Sequence, residues 1–243
     1  MSANNPELTN FYKRIQGTGV SYNNPNSDKY LITHPFRCLI SGASGGGKTN
    51  ALLNLIDKLN CFERFYLFVK LMGNDPLYDE VLVPRLQIVE EKYNTPVLLE
   101  YSCDLDDLPD VSDNPEEGGI DSNYQNLVVF DDMLDESNKT LKKISAYFTK
   151  MRKKNCSLIF IGQDYFQMPK AIRRNCNIFI CTGITSEKDL RQIHQDLARE
   201  LDFEEFRKMF REATADHSIL VIDSSHPEAK YRKNFTATWI PAK

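Results

Sequence analysis

Eight consecutive residues, Gly42-Ala43-Ser44-Gly45-Gly46-Gly47-Lys48-Thr49, have the types and order needed to hold a polyphosphate. A polyphosphate requires several backbone N–H groups turned inward at once, and glycine permits the φ values and close approach that such a nest demands. Lys48 would set a point charge beside the β and γ phosphates, and Thr49 would offer its hydroxyl to Mg²⁺, as in the pattern G-x-x-x-x-G-K-[ST]. Asn50 then opens an apolar-periodic helix whose positive end faces the phosphates. Residues 42–50 are therefore expected to bind ATP. A glycine-rich hairpin turn is the competing reading, but such a turn has no need for Lys-Thr entering a helix.

A second group belongs to the same chemistry. In Leu127-Val128-Val129-Phe130-Asp131-Asp132, four apolar residues end in two carboxylates. Unpaired acids beside a core are costly, and a bound metal gives them a reason to be there. Asp131 is expected to hold Mg²⁺ with Thr49, and Asp132 to accept a proton from the attacking water or orient it. Alone, the pair would read as solvated turn acids. Leu158-Ile159-Phe160-Ile161-Gly162-Gln163 is a third apolar run, closed by an amide placed to sense the γ-phosphate; taken alone, a glutamine after a strand says little. The glycine turn and the twin aspartates are expected at the ends of two neighbouring strands.

The elements that must position these groups follow from periodicity. Short apolar runs at 36–40, 64–69, 127–130, 157–161, 178–181 and 219–222 read as strands, with a further short strand near 86–89. Helical spacing appears around 50–60, 75–82, 137–151, 186–197 and across Phe203, Phe206 and Phe210. Alternating apolar strands and helices predict an α/β fold of the P-loop NTPase kind, a mainly parallel sheet with helices on both faces. Residues 1–33, rich in Asn, Ser and Tyr, read as an N-terminal arm or a disordered lead-in. Residues 34–225 read as the ATPase domain, with an acidic surface loop at 103–123, and residues 226–243 as a polar C-terminal tail.

Composition narrows the class. Hydrophobic residues make up 41% of the 243, enough to bury a core, yet no apolar run approaches bilayer length and Met1–Asn10 lacks the apolar stretch of a secretory signal. The six cysteines contain no C-x-x-C pair, which argues against a zinc or disulfide framework and for reduced thiols. A net charge of −4 supplies no global attraction to nucleic acid, so any DNA contact must be local. One local basic face exists: Lys139, Lys142, Lys143 and Lys150 share a side of the predicted helix 137–151, opposite Leu141, Ile144, Phe148 and Met151. It reads either as a DNA-facing stripe or as an ordinary solvated helix face.

The segments HPFRCLISGASGGGKT, LVVFDDM and MRKKNCSLIFIGQDYFQMPKAIRRN together resemble the FtsK–HerA superfamily, and within it the genome-packaging ATPases of poxviruses, giant DNA viruses, virophages and polinton-like elements. The resemblance spans about residues 34–182 and is most specific from Gln163 to Asn175. It implies an ATP- and Mg²⁺-dependent motor, a ring of copies of the chain, taken as a hexamer, that moves double-stranded DNA into a capsid, with the capsid protein as a partner. It also implies a location in the virion or at an assembly site in the host cytoplasm. Gln163 matches the family's polar sensor. Arg152 matches the arginine offered to a neighbouring subunit's ATP, with Arg173 and Arg174 as second candidates. The superfamily's usual Asp-Glu is here Asp131-Asp132, a shorter second acid. From the residues alone, Arg152 also fits a solvated helix end. Two other functions compete. A small-molecule or nucleoside kinase would need an arginine-rich lid and an acceptor pocket. A GTP switch would need N-K-x-D, whereas Asn138-Lys139 is followed by Thr-Leu.

Overall fold

The computed structural model describes residues 22–111, 114–184 and 186–239, without the Arg152 side chain. Its frame is one nine-stranded sheet: β1 (Arg37–Ser41), β2 (Arg64–Val69), β3 (Leu98–Ser102), β4 (Asn126–Asp131), β5 (Cys156–Gly162), β6 (Ile178–Cys181), β7 (Leu220–Asp223), β8 (Tyr231–Lys233) and β9 (Ala237–Trp239). The spatial order is β3-β2-β4-β5-β1-β6-β7-β8-β9. The pairings from β3 to β6 are parallel and those from β6 to β9 antiparallel.

The near-continuous apolar runs follow from burial on both faces. Along β4, Val128 and Phe130 pack on one side with Ile144, Tyr147 and Phe148 of helix α4 (Asn138–Lys150). Leu127 and Val129 pack on the other with Leu52 and Leu55 of helix α2 (Lys48–Leu59). Helix α3 (Val83–Tyr93) joins α2 on its face through Leu86. Helices α5 (Lys170–Asn175), α6 (Glu187–Leu197) and α7 (Phe203–Ala213) join α4 through Ile172, Ile193 and Phe206. A short helix, α1 (Ser27–Tyr30), precedes β1. Local signals set several boundaries. Ser137 Oγ caps α4 at Thr140 N, Ser186 Oγ caps α6 at Asp189 N, and Asp202 caps α7.

Three expectations are corrected. Residues 86–89 are not a strand but lie inside α3, which continues a π-helical turn, Leu77–Leu82. There Leu86 is buried while Ile88 is exposed, a helical and not a strand alternation. The edge strand is instead β3. Residues 226–239 are not simply a tail. Tyr231 and Arg232 are buried on β8, where Arg232 pairs with buried Asp223, Nη2 to Oδ2 at 3.0 Å. The acidic segment 103–123 is a loop, as expected, in its described residues, and it also buries Leu105, Leu108 and Ile120 against the α4 face. Finally, β1 and β4 are not neighbours: β5 lies between them. Strand order is a non-local choice that apolar periodicity does not encode.

The lead-in is tied to the lower edge of the sheet. Asn23 N and the Gln125 side chain bond reciprocally, at 2.5 Å to Oε1 and 3.0 Å from Nε2 to Asn23 O. Asn26 Nδ2 reaches Lys58 O at 2.7 Å, and buried His34 bonds Asn155 at 2.6 Å and Ser157 at 2.8 Å. Residues 1–21 of the expected arm lie outside the described residues. Among the described residues, no helix is long and apolar enough to cross a membrane.

Candidate active site

The turn after β1 is shaped by its neighbours. Gly47 takes φ +84° and caps α2, a left-handed conformation costly for other residues. A Cβ at Gly42 would lie 1.7 Å from Thr182 Oγ1, at the end of the adjacent β6, so close approach alone demands glycine there. Ala43 N donates to Gly183 O at 3.0 Å and Gly46 N to Ala43 O at 3.0 Å, fixing the loop on its floor. Lys48 Nζ folds onto the same loop, donating to Gly42 O at 3.1 Å and Ala43 O at 2.9 Å.

Across from this loop, the ends of β4 and β5 bring the predicted groups together. Ser44, Gly45, Lys48, Thr49, Asp131, Asp132 and Gln163 line one cleft of about 160 Å³. Consecutive strand residues face opposite sides, so two adjacent acids reach one cleft only if the alternation breaks. It breaks at Asp132, whose φ is +60° and whose N–H donates to Ile161 O at 3.1 Å. The intervening strand β5 places Gln163 between the two halves.

Two residues that the sequence reading missed complete the cleft. Asp75, at the entrance to the π-helical turn, accepts the Thr49 hydroxyl at 3.0 Å on Oδ2 and Leu77 N at 2.9 Å on Oδ1. Buried Tyr78 donates its hydroxyl to Asp131 Oδ2 at 2.8 Å. The acid opening a helix soon after β2 was the available signal for Asp75. Its meeting with Thr49 depends on β2 lying beside β4.

The electrostatics fit a cation. Burial raises Asp131 to about 6, with Asp132 and Asp75 adding to the rise while the Tyr78 hydrogen bond and Lys48 oppose it. Burial also lowers Lys48, against the pull of Asp131 and Asp132. Carboxylates crowded at the edge of a core, beside a threonine hydroxyl, form the hard-oxygen donor set that Mg²⁺ prefers. The floor of the glycine turn keeps two buried hydroxyls, Ser41 Oγ and Thr182 Oγ1, with no partner.

The family model of the poxvirus A32 protein matches residues 25–235. The chain belongs to the poxvirus A32 family. The resemblance to poxvirus proteins read from the three motif segments is thereby borne out. Among solved structures, this A32-family chain is similar to the genome packaging NTPase B204 from Sulfolobus turreted icosahedral virus 2. With ATP-gammaS bound, B204 gives a TM-score of 0.55 at 11% identity, covering 84% of this chain and 100% of that one. With AMP bound, it gives 0.57 at 13%, covering 84% and 99%. B204 from Sulfolobus turreted icosahedral virus, described as a DNA-packaging ATPase, gives 0.51 at 11%, covering 79% and 95%. At these identities the likeness establishes the shared fold. Comparison with curated proteins finds no match.

The remaining predicted residues of this A32-family chain fall elsewhere. Asn50 lies one helical step beyond the loop and lines a separate hollow with Gly47. Arg173 is not at the cleft. Its guanidinium pairs with Asp196, donates from Nε to Met168 O at 3.2 Å and lies 5.2 Å from the Tyr165 ring centroid. Arg174 is exposed on the same helix. Arg152 belongs to the turn Met151–Lys154 after α4, and its side chain lies outside the described residues. Of the predicted lysine stripe, Lys139, Lys142 and Lys150 are exposed, while Lys143 Nζ donates to Leu105 O at 3.0 Å and so braces the acidic loop.

Proposed function

We propose that this A32-family chain is an ATPase that drives double-stranded DNA into a viral capsid, acting as a ring of copies at the virion or its assembly site. The observation that carries the chemistry is the convergence of Lys48, Thr49, Asp131, Asp132 and Gln163 on one cleft. Thr49 and Asp131 would hold Mg²⁺, which when bound neutralises charge developing on the phosphate oxygens. The turn from Ser44 to Thr49 receives the phosphates on backbone N–H groups. Lys48, released from the Gly42 and Ala43 carbonyls, places its ammonium against the γ end. Tyr78 fixes the Asp131 carboxylate. Asp132, turned into the cleft by its left-handed backbone, takes the proton of the attacking water, and Gln163 beside it orients that water.

The motor part of the reading has other supports. Family membership and the packaging role stated for B204 favour DNA as the substrate. Exposed Lys139, Lys142 and Lys150 offer phosphate contacts on a chain of net negative charge. The resemblance to the packaging ATPases assigns Arg152 the role of completing the next subunit's site, and the Arg173 guanidinium is committed to Asp196 within its own chain.

Sizing and DNA-dependent hydrolysis on one sample test the proposal. A ring-sized species with a non-hydrolysable ATP analogue, and turnover stimulated by long duplex DNA, are expected. A monomer or dimer indifferent to DNA would return the chain to the kinase reading. In mixed rings, Arg152→Ala subunits should leave neighbours inactive yet hydrolyse in their own site. If that asymmetry is missing, the trans role passes to Arg174.

A further inference from the structure

Helix α5 carries Lys170, Arg173 and Arg174, and none of the three lines the phosphate cleft. They open instead onto a separate hollow of about 620 Å³, shared with Gln192 and Asp196 of α6 and with Arg199 just after it. The hollow lies where β6 begins and antiparallel β7 ends, at the opposite end of the strands from the phosphate loop. Its volume falls within the roughly 300–1,000 Å³ that ligand sites occupy.

The charge round this hollow is not balanced within the chain. Four cationic side chains meet one carboxylate. That carboxylate is already occupied: Asp196 Oδ2 pairs with Arg173 and accepts the Tyr165 hydroxyl at 3.3 Å, and Oδ1 accepts Gln192 Nε2 at 2.9 Å. Glu200, next to Arg199 in sequence, bonds Lys230 and Tyr231 instead. Among the described residues, Lys170, Arg174 and Arg199 form no ion pair. Three like charges held round one concavity repel one another, and a concave surface of one sign focuses its field inward. An anion entering the hollow relieves that repulsion. Arg173 supplies a fixed wall, because Asp196, Met168 O and the Tyr165 ring already hold its guanidinium in place. A surplus of three positive charges exceeds what one carboxylate offsets. It suits phosphate groups, whose oxygens accept the paired N–H donors of a planar guanidinium.

We infer that this hollow is a second anion site, in which Lys170, Arg174 and Arg199, set round the Arg173–Asp196 pair, take phosphate groups independently of the nucleotide cleft. The phosphates are those of a free polyphosphate or of a DNA backbone, which share this chemistry. The site gives a task to the cations of α5, which hydrolysis in the cleft does not use.

Calorimetric titration of the full chain with tripolyphosphate tests the inference. Two binding events per chain are expected. Lys48→Ala should remove one and spare the other. The double variant Lys170→Gln/Arg199→Gln, changed at two exposed positions, should show the reverse: one event unchanged and the other weakened about tenfold or more, at a matched melting temperature. A single event that Lys48→Ala removes would overturn the second site, as would a double variant that binds tripolyphosphate like the parent. Poly-L-glutamate, with carboxylates in place of phosphates, should compete weakly; if it displaces tripolyphosphate from the hollow at the lower concentration, the partner is an acidic peptide and the phosphate assignment falls. Duplex DNA at matched low salt identifies the source. Several-fold weaker retention by the double variant assigns the hollow to the DNA backbone, and unchanged retention assigns it to free polyphosphate. Failure of the cleft reading looks different: Lys48→Ala would then leave both events in place.

Discussion

The two edges of the central strands use polar residues in opposite ways. At the lower edge, where β1, β4 and β5 begin, polar groups satisfy one another. His34 bonds both Asn155 and Ser157, Ser157 Oγ accepts Phe36 N at 3.1 Å, and Gln125 closes a reciprocal pair with Asn23. Asn126 Oδ1 and, at the start of the neighbouring β2, Arg64 Nε are exceptions there. At the upper edge, Ser41 and Thr182 keep buried hydroxyls without partners, Asp131 is raised to about 6, and Lys48 turns back on its own loop. Buried polar groups are normally paired, and what sets the upper edge apart is the charge gathered at it: Lys48, Asp131 and Asp132. The lower edge holds the fold; the upper edge holds back capacity for chemistry.

Mutations at the two edges should therefore separate stability from turnover. The largest effect is expected for Lys48→Ala, which should lower kcat on the order of 10³-fold with no loss of melting temperature, measured by phosphate release and calorimetry on the same preparation. Asp132→Asn should come next, cutting turnover about 10²-fold or more while nucleotide still binds; weakened binding would remove Asp132 from the proton-transfer role. At the lower edge, Ser157→Ala should cost about 1–3 kcal/mol of stability by stranding His34 and Phe36 N–H. Its kcat below the melting transition should match the parent. A comparable loss in both quantities would erase the distinction between the edges.

Asp131 sharpens the comparison through pH. Its folded value, about 6, lies above its ordinary 3.8. Below pH 4 the group is protonated in folded and unfolded chains alike and costs nothing. As pH rises from 4 to 6 the unfolded chain ionises it more easily, so stability falls, and above 6 the cost is constant. Asp131→Asn should therefore raise the stability of the ligand-free protein at pH 7 by roughly 2 kcal/mol and flatten its pH dependence, while abolishing metal-dependent hydrolysis. In the parent chain, protons compete with the metal for Asp131, so the Mg²⁺ concentration needed for half-maximal hydrolysis should rise as pH drops below about 6. The smallest effect is expected for Lys142→Glu, which should weaken DNA stimulation several-fold at low salt and leave hydrolysis without DNA unchanged.

Much of the phosphate side was legible because its signals are local. Glycine spacing, Lys48-Thr49 entering a helix and an apolar run ending in two acids are all contiguous in the chain. Asp75 and Tyr78 were not legible. Their partners, Thr49 and Asp131, are 26 and 53 residues away in sequence, and only the placement of β2 beside β4 brings them together. Strands β8 and β9 were missed because three-residue strands show too little alternation to stand out, and Arg232 looks like a surface residue until its pairing with Asp223 is seen.

By itself the sequence determined that this chain has a phosphate loop followed by a helix, an acid-terminated buried strand and a mainly parallel sheet covered on both faces, because each is written in neighbouring residues at fixed spacing. The tertiary structure alone decided that β5 lies between the loop and the acids and that Asp75 and Tyr78 join them. Those outcomes depend on which strand lies beside which, and strand order is settled by packing across the whole sheet.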